Sequence, residues 1–168
     1  CTTALQLSLH TLGIKPGDEV IVPSFTWVAT ANCVELLGAK PVFCDIDLNT
    51  YNIDADKIEE KVTARTKAII PVHFAGQACD MEKIMQIAKK HNLRVIEDAC
   101  HGHGAEYKGR KLGSIGDAGC FSFQSSKNLT SGEGGMIITN DEALYDMMNS
   151  LRNVGRVKGG QWYEHHYL

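Results

Sequence analysis

Residues 121–136 read FSFQSSKNLTSGEGGM, in which one lysine, Lys127, stands between a run alternating aromatic and polar residues and a cluster of glycines. The flanking segments GCFSFQ (119–124) and GGMIITN (134–140) have the β-branched and aromatic content of buried strands. The loop between them is too short for an easy helical crossover, so one of the two is expected to run antiparallel. Four more runs of the same kind precede them: EVIVP (19–23), KPVFCDI (40–46), KAIIPVHF (67–74) and LRVIEDA (93–99). Between them, helices are expected over about 26–37, 54–62, 80–91 and 141–152, and a further helix opens the chain, with Leu5, Leu9 and Leu12 on one face. Most of the stretch from Asp54 to Lys61 is charged, which predicts a solvated face. Gly38 is expected as the residue closing the second helix, with Asp80 and Asn140 as N-caps of the last two. Strands alternating with helices predict a three-layer α/β/α arrangement around a mostly parallel sheet.

The 168 residues are 43% hydrophobic, enough for a substantial core in one domain. Seventeen basic and twenty acidic residues are spread evenly, for a net charge of −3. Without a basic block, nucleic acid is not the expected partner. No apolar run reaches the length of a membrane span and no leader peptide is evident, so a cytoplasmic protein without membrane contact is expected. Six cysteines without a CxxC pair read as reduced thiols. The chain starts within a helix and stops at YEHHYL without a closing residue, which predicts a piece of a longer protein.

Ligands of open α/β sheets bind at the carboxyl ends of the strands. Asp98 ends one such strand before ACHGHGA; it either caps the next turn or aims a carboxylate into a pocket, where it would pair with a cation or a protonated ring nitrogen. Lys127 follows another strand. As a loop lysine it would be solvated; in a partly desolvated pocket the neutral amine of a lysine is favoured and attacks carbonyls. Thr2 and Thr3 read as caps of the first helix, whose free N–H groups can receive an anion, with Ser122, Ser125 and Ser126 as additional hydroxyls. Trp27 enters a helix just after a strand, where it packs in the core or stacks on a planar ring. Cys100, His101 and His103 lack a second set of ligands at zinc spacing, and no metal site is expected. Phosphate-loop, nucleophile-elbow and dinucleotide-binding patterns are missing as well.

The helix-opening TT, the Trp after a strand, EDACHGHGA and SFQSSKNLTSGEGGM, in this order, together with GIKPGDEVIVPSFTWVATANCV, GAKPVFCDID and PVHFAGQACDM, resemble the DegT-type nucleotide-sugar aminotransferases across nearly the whole chain. That resemblance implies the large domain of a fold type I enzyme dependent on pyridoxal 5′-phosphate (PLP), with further N-terminal residues and a C-terminal small domain beyond it. It implies that Lys127 bonds the cofactor covalently and moves a proton between the substrate Cα and the cofactor's C4′, and that Asp98 pairs with the pyridinium nitrogen. It further places Trp27 on the cofactor ring, Thr2, Thr3 and Ser122 around the phosphate, and His101 near the phenolic oxygen. Cys1 stands where the family usually has Gly, and Glu133, in GEGG, receives no role. The implied partners are an amino donor, glutamate first, and a keto sugar linked to a nucleotide, in a homodimer with a shared active site. The related sugar dehydratases carry His in place of the lysine, so Lys127 points to amino transfer. The rival readings are another PLP reaction on the same scaffold and a non-catalytic PLP-binding module.

Overall fold

A computed structural model describes residues 1–165; the last three residues of YEHHYL lie outside the described residues. The strands are β1 (Glu19–Pro23), β2 (Lys40–Cys44), β3 (Thr66–Ile69), β4 (Arg94–Asp98), the short pair β5 (Glu106–Tyr107) and β6 (Arg110–Lys111), β7 (Ala118–Ser122) and β8 (Gly135–Ile138). Six of them form one sheet in the order β2-β1-β3-β4-β7-β8, while β5 and β6 pair separately. Pairing is parallel from β2 through β7. β8 runs antiparallel to β7, as expected from the connection between them. The helices are α1 (Thr2–Thr11), α2 (Ala29–Glu35), α3 (Met81–His91) and α4 (Glu142–Arg152).

Both faces of the sheet are covered, so its central strands are apolar throughout rather than alternating; every residue of β1 and β7 is buried. One core layer joins Ile21, Ile69 and Val95 to Ile84 and Ile87 of α3. The other joins Val20, Val22, Ile70 and Ile96 to Leu5 and Leu9 of α1 and Cys33 and Val34 of α2. This is the expected three-layer architecture. Gly119 permits one close approach within it, because a Cβ there would lie 2.1 Å from the Gly113 carbonyl oxygen. Among the described residues, no helix is long and apolar enough to cross a membrane, and all six cysteines are free thiols.

Several boundaries differ from expectation. The helix expected over 54–62 reduces to a 3-10 turn, Glu59–Lys61. Asp54 accepts from the Asp56 N–H at 3.0 Å, a local bond that competes with helix formation, and Ile58 is fully buried within this otherwise charged stretch. The second helix begins only at Ala29 and ends at Glu35. Gly38, at φ 71°, sits two residues beyond the Leu36 C-cap rather than directly after the helix. Asp80 caps α3 as expected, accepting from Lys83 N at 3.3 Å. The cap of α4 is Asp141, which accepts from the Ala143 and Leu144 N–H groups at 2.9 and 3.1 Å; Asn140 instead donates to the Ser114 carbonyl.

Candidate active site

The carboxyl ends of β1, β3, β4 and β7 converge beside the N-terminus of α1 on a cleft of about 400 Å³. Of the residues singled out from sequence, Thr2, Trp27, Asp98, His101, Ser122, Ser126 and Lys127 line it. Thr3 does not: it lines a neighbouring cleft between α1, β8 and α4. The two threonines also do not cap α1 with their hydroxyls. Cys1 holds the N-cap position, without a side-chain hydrogen bond, and Thr2 and Thr3 form the first turn. The first N–H groups of α1 are therefore free of side-chain partners, which leaves the positive end of the helix open to an anion.

Asp98 ends β4 and is 5% exposed. Its Oδ2 accepts from the Thr30 hydroxyl at 2.9 Å and its Oδ1 from the Cys100 N–H at 3.3 Å. Thr30, in α2, was not apparent as a site residue, because its only link to Asp98 spans 68 positions of sequence. A carboxylate oxygen of Asp98 and the Sγ atoms of Cys1 and Cys100 lie within 4.8 Å of one another, which shows how closely the start of α1 approaches the acid. Burial first, and then the charge of Asp98, push the Cys100 thiol far above its ordinary range, so it is a protonated wall of the cleft rather than a nucleophile.

Lys127 is half-buried, and its Nζ lies 3.0 Å from His101 Nε2. The loop that carries it is held by Gln124, whose carbonyl accepts from the Lys127 N–H at 2.9 Å and whose Oε1 accepts from Ser126 N at 2.9 Å. His101 Nδ1 accepts from the Ala75 N–H at 3.2 Å. Burial, followed by the neighbouring positive charge of Lys127, holds the His101 pKa below its usual value. Ser122 is buried, and its Oγ accepts weakly from Gln124 N at 3.4 Å, which leaves its own proton available to donate. Trp27 is 79% exposed and presents its ring at the cleft edge; packing in the core does not account for it. Phe25, Tyr51 and Phe74 cluster nearby, with ring centroids 5.0 to 5.9 Å apart.

The strand ends thus gather an amine, a buried carboxylate, an imidazole, hydroxyls and an open helix end. Known proteins are similar to this chain along nearly its whole length. GDP-perosamine synthase of Caulobacter vibrioides is 56% identical over 154 residues, covering 92% of this chain and 42% of its own. UDP-N-acetyl-3-dehydro-alpha-D-glucosamine 3-aminotransferase of Acidithiobacillus ferrooxidans is 50% identical over 167 residues, covering 99% and 44%. The crystal structure of NtdA from Bacillus subtilis with bound cofactor PMP superposes with a TM-score of 0.90 at 38% identity, covering 99% of this chain and 38% of that one. The chain thus spans about two fifths of the length of these relatives. The family model of the DegT/DnrJ/EryC1/StrS aminotransferases matches residues 1–168, and the chain belongs to that family.

Proposed function

We propose that this chain carries the cofactor site of a PLP-dependent aminotransferase that moves an amino group from an amino acid, glutamate first, to a keto sugar linked to a nucleotide. The observation that carries the reading is the meeting of Lys127 and the buried Asp98 in one cleft at the carboxyl ends of the sheet. In this reading residues 1–168 form the large cofactor-binding domain, completed by N-terminal residues and a small C-terminal domain. The substrate classes follow those named for the relatives above.

The donor set fits PLP. Lys127 offers an amine for its aldehyde, and Asp98 offers a carboxylate for a protonated ring nitrogen. The free N–H groups of the first turn of α1, with the Ser122 hydroxyl, suit a phosphate. Trp27 supplies a flat face, and His101 a polar group at the side where Lys127 lies. When bound, PLP supplies an electron sink for the substrate Cα.

The chain's own residues then divide the work. Thr30 orients Asp98 by donating to Oδ2, so that the remaining lone pairs can keep a ring nitrogen protonated. Lys127 Nζ anchors the cofactor and, once released, takes the proton from the donor's Cα as general base. The exposed aromatic rings of Trp27, at the cleft edge, and of Phe25 and Tyr51, which pack against Phe74, are the kind of surface that a second subunit covers, in keeping with a homodimer that shares its sites. The reading's setting is the cytoplasm, and six free thiols fit a reducing compartment.

The test uses the full-length protein with PLP. Adding glutamate should replace the visible absorption of the lysine-linked cofactor with that of pyridoxamine phosphate. A spectrum that no amino donor changes would remove the aminotransferase reading.

A further inference from the structure

Two of the six cysteines meet in the cleft. Cys1 and Cys100 are half-buried and line it, and their Sγ atoms and a carboxylate oxygen of Asp98 lie within 4.8 Å of one another. The other four are buried in the core, and each sulfur engages an oxygen. Cys33 donates to the Thr30 carbonyl at 3.1 Å, Cys79 to that of Val72 at 3.2 Å and Cys44 to that of Asp54 at 3.8 Å, while Cys120 meets the Ser8 hydroxyl at 3.4 Å. A small oxidant that enters where a cofactor enters therefore reaches Cys1 and Cys100 first. We propose that Cys1 and Cys100 form a modification site for hydrogen peroxide, closing to a disulfide across Asp98 that shuts the cofactor out until a thiol reductant reopens it. The consequence for the cofactor rests on the reading above; the sulfur chemistry does not.

The fold brings the two together. Cys1 holds the N-cap of α1, with its carbonyl accepting from the Leu5 N–H at 3.0 Å. β8 packs against it so closely that a Cβ on Gly135 would lie 3.3 Å from the Cys1 Cα. Cys100 is fixed in the turn after β4 by its N–H, which donates to Asp98 Oδ1 at 3.3 Å. From a separation under 4.8 Å the sulfurs close to a bond of roughly 2.0 Å, a movement on the scale of a side-chain rotation.

The roles of the two thiols differ. Cys1 is oxidised first, because it stands at the positive end of α1, where negative charge developing on sulfur is stabilised. Cys100, kept protonated by burial and by Asp98, does not attack unaided. The Cys1 sulfur attacks one oxygen of hydrogen peroxide, the O–O bond breaks, and the thiol proton leaves with the other oxygen as water, giving a sulfenic acid. The Cys100 sulfur then attacks Cys1 Sγ; an S–S bond forms and the S–O bond breaks. The Cys100 proton, relayed by the Asp98 carboxylate, leaves with the sulfenic hydroxyl as a second water. The two thiols lose two electrons in all, and the peroxide gains them. A dithiol reductant reverses the change and is itself oxidised to a disulfide.

The experiment reads the bond and the cofactor separately. Full-length protein freed of cofactor is treated with hydrogen peroxide, its remaining thiols are alkylated, and its peptides are mapped without reduction. The expected product is a linked peptide pair joining Cys1 to Cys100, lost again after dithiothreitol. In parallel, PLP affinity is expected to fall roughly tenfold or more on oxidation and to return with the reductant. A variant carrying Cys1→Ser and Cys100→Ala together is compared with itself before and after peroxide, and its PLP affinity is expected to stay within about twofold. Absence of the linked pair in the wild type, or a disulfide among the buried cysteines in its place, overturns the proposal while leaving the cofactor reading standing. So does a linked pair that leaves PLP affinity unchanged, or a double variant that loses affinity as the wild type does. Should the double variant fail to fold, the wild-type peptide map and its reversal decide. A reduced wild type that binds no PLP overturns the cofactor reading, and the peptide map still reads the disulfide.

Discussion

Glu97 and Asp98 are consecutive on β4, yet their carboxylates serve opposite faces of the sheet. Successive side chains of a strand alternate, so Asp98 follows Ile96 toward α1 and α2, whereas Glu97 follows Val95 toward α3. Asp98 meets Thr30 and the cleft. Glu97, fully buried, accepts from the N–H groups of Gly113, Ile115 and Gly116 at 2.8, 2.6 and 2.7 Å and from His73 Nε2 at 3.0 Å. The His73 proton is on Nε2 because Nδ1 accepts from Cys79 N at 3.1 Å. One acid therefore faces the cleft, and its neighbour pins the loop that leads into β7 and onward to Lys127.

Removing the pin should be costly. Glu97→Ala leaves three backbone donors and the His73 N–H without an acceptor, for an expected loss of about 3–5 kcal/mol in unfolding free energy. Denaturant titration measures it, and a loss below about 1 kcal/mol would show that the loop is held by other means.

The same acid sets an acid limit on stability. Burial alone would raise the Glu97 pKa, but the His73 and backbone hydrogen bonds outweigh it and hold it below the ordinary value of 4.5. A carboxyl with a depressed folded pKa contributes its full stability above the unfolded value and loses it as pH falls through the folded one. Wild-type stability should thus fall below about pH 4.5, and Glu97→Gln should lack that component of the decline. Parallel acid titrations of the two proteins would show it.

Asp98→Asn retains an oxygen for Thr30 but loses the charge. The expected outcome is a folded protein that still takes up PLP and whose turnover falls by roughly 10²-fold or more. Rates near wild type would exclude the pyridinium role.

Thr30→Val removes one hydroxyl at nearly constant volume and leaves Asp98 without its 2.9 Å donor. Cofactor affinity should weaken roughly fivefold, the worth of about 1 kcal/mol, and Thr30→Ser should restore most of it. Equilibrium titration with PLP reads both.

Trp27→Ala separates stability from binding. With the indole 79% exposed, unfolding free energy should change by no more than about 0.5 kcal/mol, while PLP affinity falls roughly fivefold. Loss of stability without loss of affinity would return Trp27 to a packing role.

The sheet was legible because its central strands β1 and β7 are buried on both faces and read as unbroken apolar runs; Asp98 was legible because it ends one such run, and Lys127 because it stands in the loop after another. Thr30 and the Glu97 clamp were not, since their bonds join positions 68 and 16 to 19 residues apart. One signal did exist. His73 and Glu97 are polar residues inside apolar runs, and a buried acid requires partners. The failed helix at 54–62 shows the opposite error, in which charged residues near helical spacing were satisfied by local turns around Asp54. Asn140 and Asp141 are adjacent capping residues, and only the backbone geometry selects the aspartate. Thr3 parted from Thr2 because consecutive residues of a helix point about 100° apart.

In the proposed function the Lys127 amine is the group that bonds the cofactor. Reducing the full-length protein with borohydride in the presence of PLP, followed by peptide mapping, tests it most directly. A pyridoxyl group is expected on Lys127 in the wild type and none in Lys127→Ala; a label on another lysine, or an undiminished label in the variant, would place the anchor elsewhere.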